Sequence, residues 1–255
     1  MLYSVINIDI VGSRKLVNRK IIQEKINYYI SYMNKEYIDL LLSPITITLG
    51  DEWQIILKTP SKSYRIIDKF QELLREDNIK IYAGIGLGKL STKVYKDIRL
   101  MDGECFINAR KALNIVKNKN TFYNHFINTK KNRIYFCGEI ETFIEKNDKY
   151  SINLDEIAAT SDMIGTDDNF SINALINALI ENTEVLKNNI TNKQQEIINL
   201  YKKYGSYNNI IKGNNLLTKS SISQKLNDSN FFVINKNNLI IELLIEYYCK
   251  IREDS

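Results

Sequence analysis

Two aspartates sit where side-chain chemistry could be done. Asp9 lies near the end of an apolar run, in Ile8-Asp9-Ile10-Val11-Gly12-Ser13, and Asp51 lies in Thr48-Leu49-Gly50-Asp51-Glu52-Trp53. Two carboxylates brought together suit Mg²⁺ (or Mn²⁺), which takes one or two protein carboxylates and completes its octahedron with water and substrate phosphates. Without a cation between them their mutual repulsion is costly. Beyond Asp9 the chain turns toward a helix, where the free N–H groups of Gly12 and Ser13 could hold phosphate oxygens. Each aspartate alone has a plainer reading, Asp9 as a helix cap and Gly50-Asp51 as ordinary turn chemistry. Only their convergence makes a site.

Other chemistries are poorly supplied. The chain of 255 residues has one histidine, His125, and three scattered cysteines, Cys105, Cys137 and Cys249. That leaves little for a zinc site or a histidine-based triad, so a metal must be held by oxygen. The odd cysteine count fits a reducing compartment. A net charge of +5 permits nucleic-acid contact without demanding it. No apolar run approaches the ~18 residues of a membrane span, and Met1–Ile6 lacks signal-peptide features. The expectation is a cytoplasmic protein with no membrane partner.

The elements that must position the aspartates follow from hydrophobic spacing. Leu2–Ile10 is a buried strand and Lys15–Asn34 an amphipathic helix. Ile45–Leu49 and Trp53–Leu57 form a hairpin hinged at Gly50-Asp51-Glu52. Ser61–Asp77 is helical, Ile79–Leu87 a strand, Glu104–Val116 a helix and Arg133–Phe136 a further strand. The order β-α-β-β-α-β is the ferredoxin-like α+β arrangement, with two helices on one face of an antiparallel sheet. It brings the end of the first strand and the hairpin turn to one sheet edge. Glu52 follows the turn and could point into that site or away from it, and strand alternation favours away. Gly84, Gly86 and Gly88 alternate in one strand, where they make room for a tightly packed helix or for a ligand at the backbone.

The mixed domain is expected over residues 1–145, a polar connector over 146–169 and a helical domain over 170–255. Ser171–Lys187 carries an apolar stripe of Ile172, Leu175, Ile176, Leu179, Ile180 and Leu186. Helical segments follow near Lys193–Tyr204, Tyr207–Asn214, Lys219–Asn227 and Leu239–Ile251. Thr191 with Gln194 makes a capping box, and Thr218 caps the third segment. Residues 191–227 thus form a trihelical helix-turn-helix unit for duplex DNA, with Lys219, Ser220, Ser221, Gln224 and Lys225 offered to base edges and phosphates. The plainer alternative is a small bundle for dimerisation. The stripe Ile172–Leu186 and the tail Leu239–Tyr248 offer surface for a homodimer.

These motifs carry a resemblance. Asp-Ile-Val-Gly-Ser looks like the metal-binding strand end of class III nucleotide cyclases. Leu49-Gly50-Asp51-Glu52-Trp53 is similar to the GGDEF signature of diguanylate cyclases. Gly84-Ile85-Gly86-Leu87-Gly88 resembles the following cyclase strand, and Asp102-Gly103 with Ala109-Arg110 the segment bearing the transition-state arginine. As a set they most resemble the SatD family, in which such a region is joined to a C-terminal helix-turn-helix. The resemblance implies a palm in which Asp9 and Asp51 bind two metals, the Ile10 carbonyl adds a ligand, Gly12, Ser13 and Gly50 line the nucleotide, and Arg110 faces phosphate. It departs at Phe106, where cyclases place asparagine, at Leu49, where GGDEF has its first glycine, and at Ile45–Thr48, which lacks a base-selecting lysine. The leading expectation is therefore a DNA-binding regulator whose palm binds a nucleoside triphosphate or other nucleotide with Mg²⁺. The alternative is an active cyclase or nucleotidyltransferase whose catalytic residues are Asp9, Asp51 and Arg110.

Overall fold

The computed structural model describes residues 1–15, 18–118, 127–138, 171–213 and 216–254. His125 and the expected connector 146–169 lie outside the described residues. The first half runs β1 (Tyr3–Ile10), α1 (Arg19–Glu36), β2 (Leu41–Leu49), β3 (Glu52–Leu57), α2 (Ser63–Arg75), β4 (Ile81–Gly88), α3 (Glu104–Lys117) and β5 (Ile134–Cys137). The described strands form one sheet in the order β2-β3-β1-β4-β5. The first four strands are antiparallel neighbours in the ferredoxin-like order, and β5 adds in parallel beside β4 after the α3 crossover.

Period-two alternation splits the side chains between two layers. Ile6, Ile8 and Ile10 of β1, Trp53, Ile55 and Leu57 of β3, and Ile81, Ala83, Ile85 and Leu87 of β4 pack against α1 and α2 through Ile26, Ile30, Met33, Ile66, Ile67 and Phe70. The opposite face belongs to α3, where Val5 and Ile56 meet Cys105 and Ala109.

The alternating glycines explain how α3 comes so close. A Cβ on Gly86 would lie 2.0 Å from the Ala109 backbone nitrogen, and one on Gly84 would lie 2.2 Å from that of Leu113. Backbone cannot yield as a side-chain tip can, so these glycines seat the helix. Gly86→Ala is expected to cost about 3 kcal/mol or more, the upper range for overpacking. Urea denaturation checks this; a loss below about 1 kcal/mol would mean that α3 is not held by that contact.

The second half contributes α4 (Ile172–Asn188), α5 (Asn192–Tyr204), α6 (Tyr207–Gly213), α7 (Lys219–Asp228) and α8 (Phe231–Asp254). Two of them correct the expected separation into domains. Ile172, Ile176 and Ile180 of α4 and Ile241, Ile245 and Tyr248 of α8 are buried in the same core as α1 and α2. The Tyr248 ring stands edge-on to Phe136 of β5, with centroids 5.7 Å apart. The stripe and tail expected to build a homodimer are thus largely spent on extending the helical layer over β5. An apolar stripe says that a helix face is buried, not what buries it.

The α5–α7 unit has its own small core of Ile197, Ile198, Ile210, Ile222 and Leu226, closed by Phe231 at the start of α8. Thr191 and Gln194 form the expected capping box, and the Thr218 side chain accepts from the Ser221 amide at 3.1 Å. The last helix begins at Phe231 rather than near Leu239. Its polar stretch Lys236-Asn237-Asn238 interrupts the apolar periodicity and hides the first two turns from a sequence reading.

Candidate functional site

The site lies on the α3 face of the sheet, at the end where β1 finishes and the β2–β3 hairpin turns. That hairpin has a two-residue loop, Gly50-Asp51, with Gly50 at φ +57° in the left-handed region that such turns need. Because the loop is so short, Glu52 is the first residue of β3 and pairs directly across from Asp9. Cross-strand partners share a face. The expectation that Glu52 points away is therefore wrong: it assumed a longer turn.

Glu52 is buried, and its two oxygens accept both terminal nitrogens of Arg110 at 2.8 and 2.5 Å. This bidentate pair joins a carboxylate of 6% side-chain exposure to a guanidinium of 49%. Arg110, expected to face phosphate, is held over the acidic end of the sheet by that bond. The Glu52 hydrogen bond, opposed by partial burial, and the charges of Glu52 and Asp9 raise its basicity further. The Asp9 carboxylate accepts from the Lys117 ammonium. Burial pushes Asp9 up from its ordinary value, Lys117 pulls it down, and the Asp51 and Glu52 charges push up again, with a net rise. Asp51 is thus near enough to act on Asp9 through its charge. The structure brings Asp9, Asp51 and Arg110 to one locality, and adds Glu52 and Lys117, which sequence reasoning missed.

The polar face continues inward by two residues on each strand. Asn7, directly opposite Gln54, accepts from its amide at 2.7 Å. Asn7 is fully buried, and among the described residues its own Nδ2 has no hydrogen-bond partner. A buried donor left open costs about 1–3 kcal/mol, so a polar wedge beneath the acids is maintained against its own cost.

The other expected site residues are placed as follows. Ile10 ends β1 and is buried, and Gly50 is exposed in the turn. Gly12 (φ +65°) and Ser13 do not open a long helix. They enter a three-residue 3₁₀ turn, Ser13–Lys15, and α1 starts only at Arg19. Three residues make almost no helix dipole, so phosphate binding at a helix N-terminus is not available to them. On α7, Lys219, Ser220 and Gln224 are exposed, while Ser221 and Lys225 are half-buried and joined by a 3.0 Å bond from the Lys225 ammonium to the Ser221 hydroxyl.

The acids suit a divalent cation by the chemistry of their donors. Among the described residues no group of three or more histidine, cysteine or acidic side chains converges as a metal cage. A cation here would rest on the Asp9 and Asp51 carboxylates, with water and phosphate for the rest, which is the habit of Mg²⁺. The rise at Asp9 comes first from burial, and the Asp51 and Glu52 charges add to it; a cation here would offset both.

The SatD family model matches residues 3–148. No curated protein matches the sequence. Among solved structures, the guanylate cyclase domain of RhGC from Catenaria anguillulae in complex with GTP is similar at 14% identity, over 44% of this chain and 71% of that one, with a TM-score of 0.33. The adenylyl cyclase CyaB from P. aeruginosa is similar at 16% identity, over 43% and 70%, with a TM-score of 0.32. Among the described residues no helix is long and apolar enough to cross a membrane. With more than half of its length matched by the family model, the chain belongs to the SatD family.

Proposed function

We propose that the palm binds a nucleoside triphosphate together with Mg²⁺ or Mn²⁺, and that the α5–α7 unit contacts duplex DNA, so that the protein acts as a nucleotide-responsive regulator. The observation that carries the first part is the pairing of Asp9 opposite Glu52 beside Asp51, with two cations of one helix, Arg110 and Lys117, laid over them. Asp9 and Asp51 would hold the metal, whose contribution is to neutralise phosphate charge and polarise a phosphoryl oxygen. Arg110 is half-exposed and presents a planar fork that suits phosphate as well as it suits Glu52.

Arg110 is tested with its partner in mind. Arg110→Ala alone strands Glu52 without a counter-ion and destabilises the fold, so the comparison is Glu52→Gln against Glu52→Gln/Arg110→Ala. The second variant is expected to bind a Mn²⁺–nucleoside triphosphate tenfold to about a hundredfold more weakly, the value of a charge-assisted bond, with nucleoside binding unchanged. Equal triphosphate affinity by calorimetry would leave Arg110 a structural ion pair.

For the DNA part, the support is a trihelical unit with its own core and a capped α7 whose exposed face carries Lys219, Ser220 and Gln224. Between Thr191 and Asn230 it has six lysines and two acids. Replacing Lys219 and Lys225 by alanine is expected to weaken duplex binding for all sequences and to flatten its salt dependence by about one unit per lost contact. Replacing Gln224 should shift sequence preference instead. No retention of any duplex at low salt would leave the unit a plain bundle.

A further inference from the structure

A polar cleft opens on the other side of the sheet from the acids. It lies where α2 ends, β4 and β5 begin, and α4 passes into α5, so its walls come from both halves of the chain. It has a volume of about 230 Å³, and four cations line it, Arg75, Lys80, Arg133 and Lys187, against one acid, Glu184. That acid is already committed: its oxygens accept from Tyr64 at 2.9 Å, Gln71 at 2.8 Å and Lys187 at 2.8 Å. Lys187 is committed too, bridging Glu184 and Asp68. Among the described residues that line the cleft, what remains is positive charge in excess of the acids, with Arg75 also acting on Asp68 of α2. Among the described residues Lys80 forms no ion pair, and the Arg133 guanidinium donates only to the Lys131 carbonyl, at 3.3 Å. Arg75 donates to the neutral amide of Gln195.

We propose that this cleft is a binding site for a small polyphosphate, either free di- or triphosphate or the phosphate end of a nucleotide. Charge selects the ligand class: unneutralised guanidinium and ammonium groups around one concavity favour a multiply charged anion. Size narrows it, since the volume falls below the roughly 300–1,000 Å³ of pockets that enclose drug-sized molecules. A whole nucleotide would leave its base outside. The floor, made by the Glu184–Lys187 pair, is buried and fixed, so the anion would be met by Lys80, Arg133 and Arg75 at the rim. Because the wall continues into Asn192 at the start of α5, occupation would bear on how the α5–α7 unit is seated on the palm.

The site differs from the acid cluster in needing no metal, and the test uses that difference. Titrating the full-length protein with inorganic pyrophosphate in EDTA should give saturable heat and raise the melting temperature. Lys80→Ala/Arg133→Ala removes two surface cations without stranding an acid, and should weaken pyrophosphate by tenfold or more. Asp9→Asn/Asp51→Asn should leave it unchanged. A nucleoside triphosphate in EDTA that binds as tightly as triphosphate alone identifies the phosphate end as the part recognised; a nucleotide that binds much more tightly than either polyphosphate would overturn the size argument. Absence of binding, or equal binding by wild type and the Lys80/Arg133 variant, overturns the proposal. If the anion is instead lost in Asp9→Asn/Asp51→Asn, it sits at the palm, and the cleft proposal fails while the palm reading stands.

Discussion

Asp9→Asn combined with Asp51→Asn is expected to abolish Mn²⁺-dependent nucleotide binding, a loss on the order of a hundredfold or more, while the protein still folds. Ligand charge is the main control on divalent affinity at oxygen sites, and this change removes both of the anions argued to face the ion. The fold should survive because Asp51 is a half-buried residue of a two-residue turn and Asp9 already bears a pKa raised by burial and by its acidic neighbours, so its ionisation is itself costly. Lys117→Met provides the opposite arm. The Lys117 ammonium holds one oxygen of Asp9, so it competes with a divalent ion for that carboxylate's charge. Removing that competitor should tighten Mn²⁺ binding, measured by calorimetry without nucleotide. Weaker Mn²⁺ binding in Lys117→Met, or nucleotide-induced stabilisation equal in wild type and in the double asparagine variant, would count against a metal at these acids.

Much of this arrangement was legible from spacing. The shift between period two and period 3.6 gave the strand and helix order, and with it the shared edge of Asp9 and Asp51. The failures have physical causes. One residue of hairpin length decided the side on which Glu52 lies, because each step along a strand flips the face. Glu52–Arg110 and Asp9–Lys117 join residues 58 and 108 positions apart, and no local pattern encodes such partners. A weaker signal was present all the same: Arg110 and Lys117 are seven apart, which places two cations on one stripe of α3. Asn7 and Gln54 lie two residues from Asp9 and Glu52 and share their face by alternation alone. The placing of α4 and α8 over β5 could not be read, since their stripes fit a partner subunit as well as this sheet. The packing of α4 against α2 leaves the junction between the two halves charged and buried, which a single substitution can test.

Lys187→Met should lower the free energy of unfolding by about 3–5 kcal/mol at pH 7, the cost of removing one partner from a buried ion pair. Lys187 has 10% side-chain exposure and Glu184 3%, so water can replace little of what is lost. The ammonium contacts Asp68 at 2.7 Å and Glu184 at 2.8 Å, tying α2 to α4. The pH dependence follows from Asp68. Burial pushes its carboxyl up, but the charge and hydrogen bond of Lys187, with help from Lys202 and Arg75, outweigh burial and hold it below its ordinary value. A depressed carboxylate contributes stability that is complete above its unfolded value and is lost as pH falls through the lower folded one. Lys187 itself is held above its ordinary value: burial lowers it, and the two carboxylates more than compensate. Its contribution is complete below the unfolded lysine value and disappears only as pH rises through the folded one. Wild type should therefore keep the full contribution of these groups across neutral pH. In Lys187→Met, burial is left to act on Asp68 with its main counter-ion gone, so its carboxyl should rise and take up a proton in mild acid. The deficit should then shrink between pH 7 and about pH 4.5, and adding Asp68→Asn and Glu184→Gln should recover most of it at pH 7. Urea denaturation at the two pH values measures this. A deficit below about 1 kcal/mol at pH 7, or one that does not change with pH, would mean that the triad is hydrated in solution and that the two halves are joined by their apolar core alone.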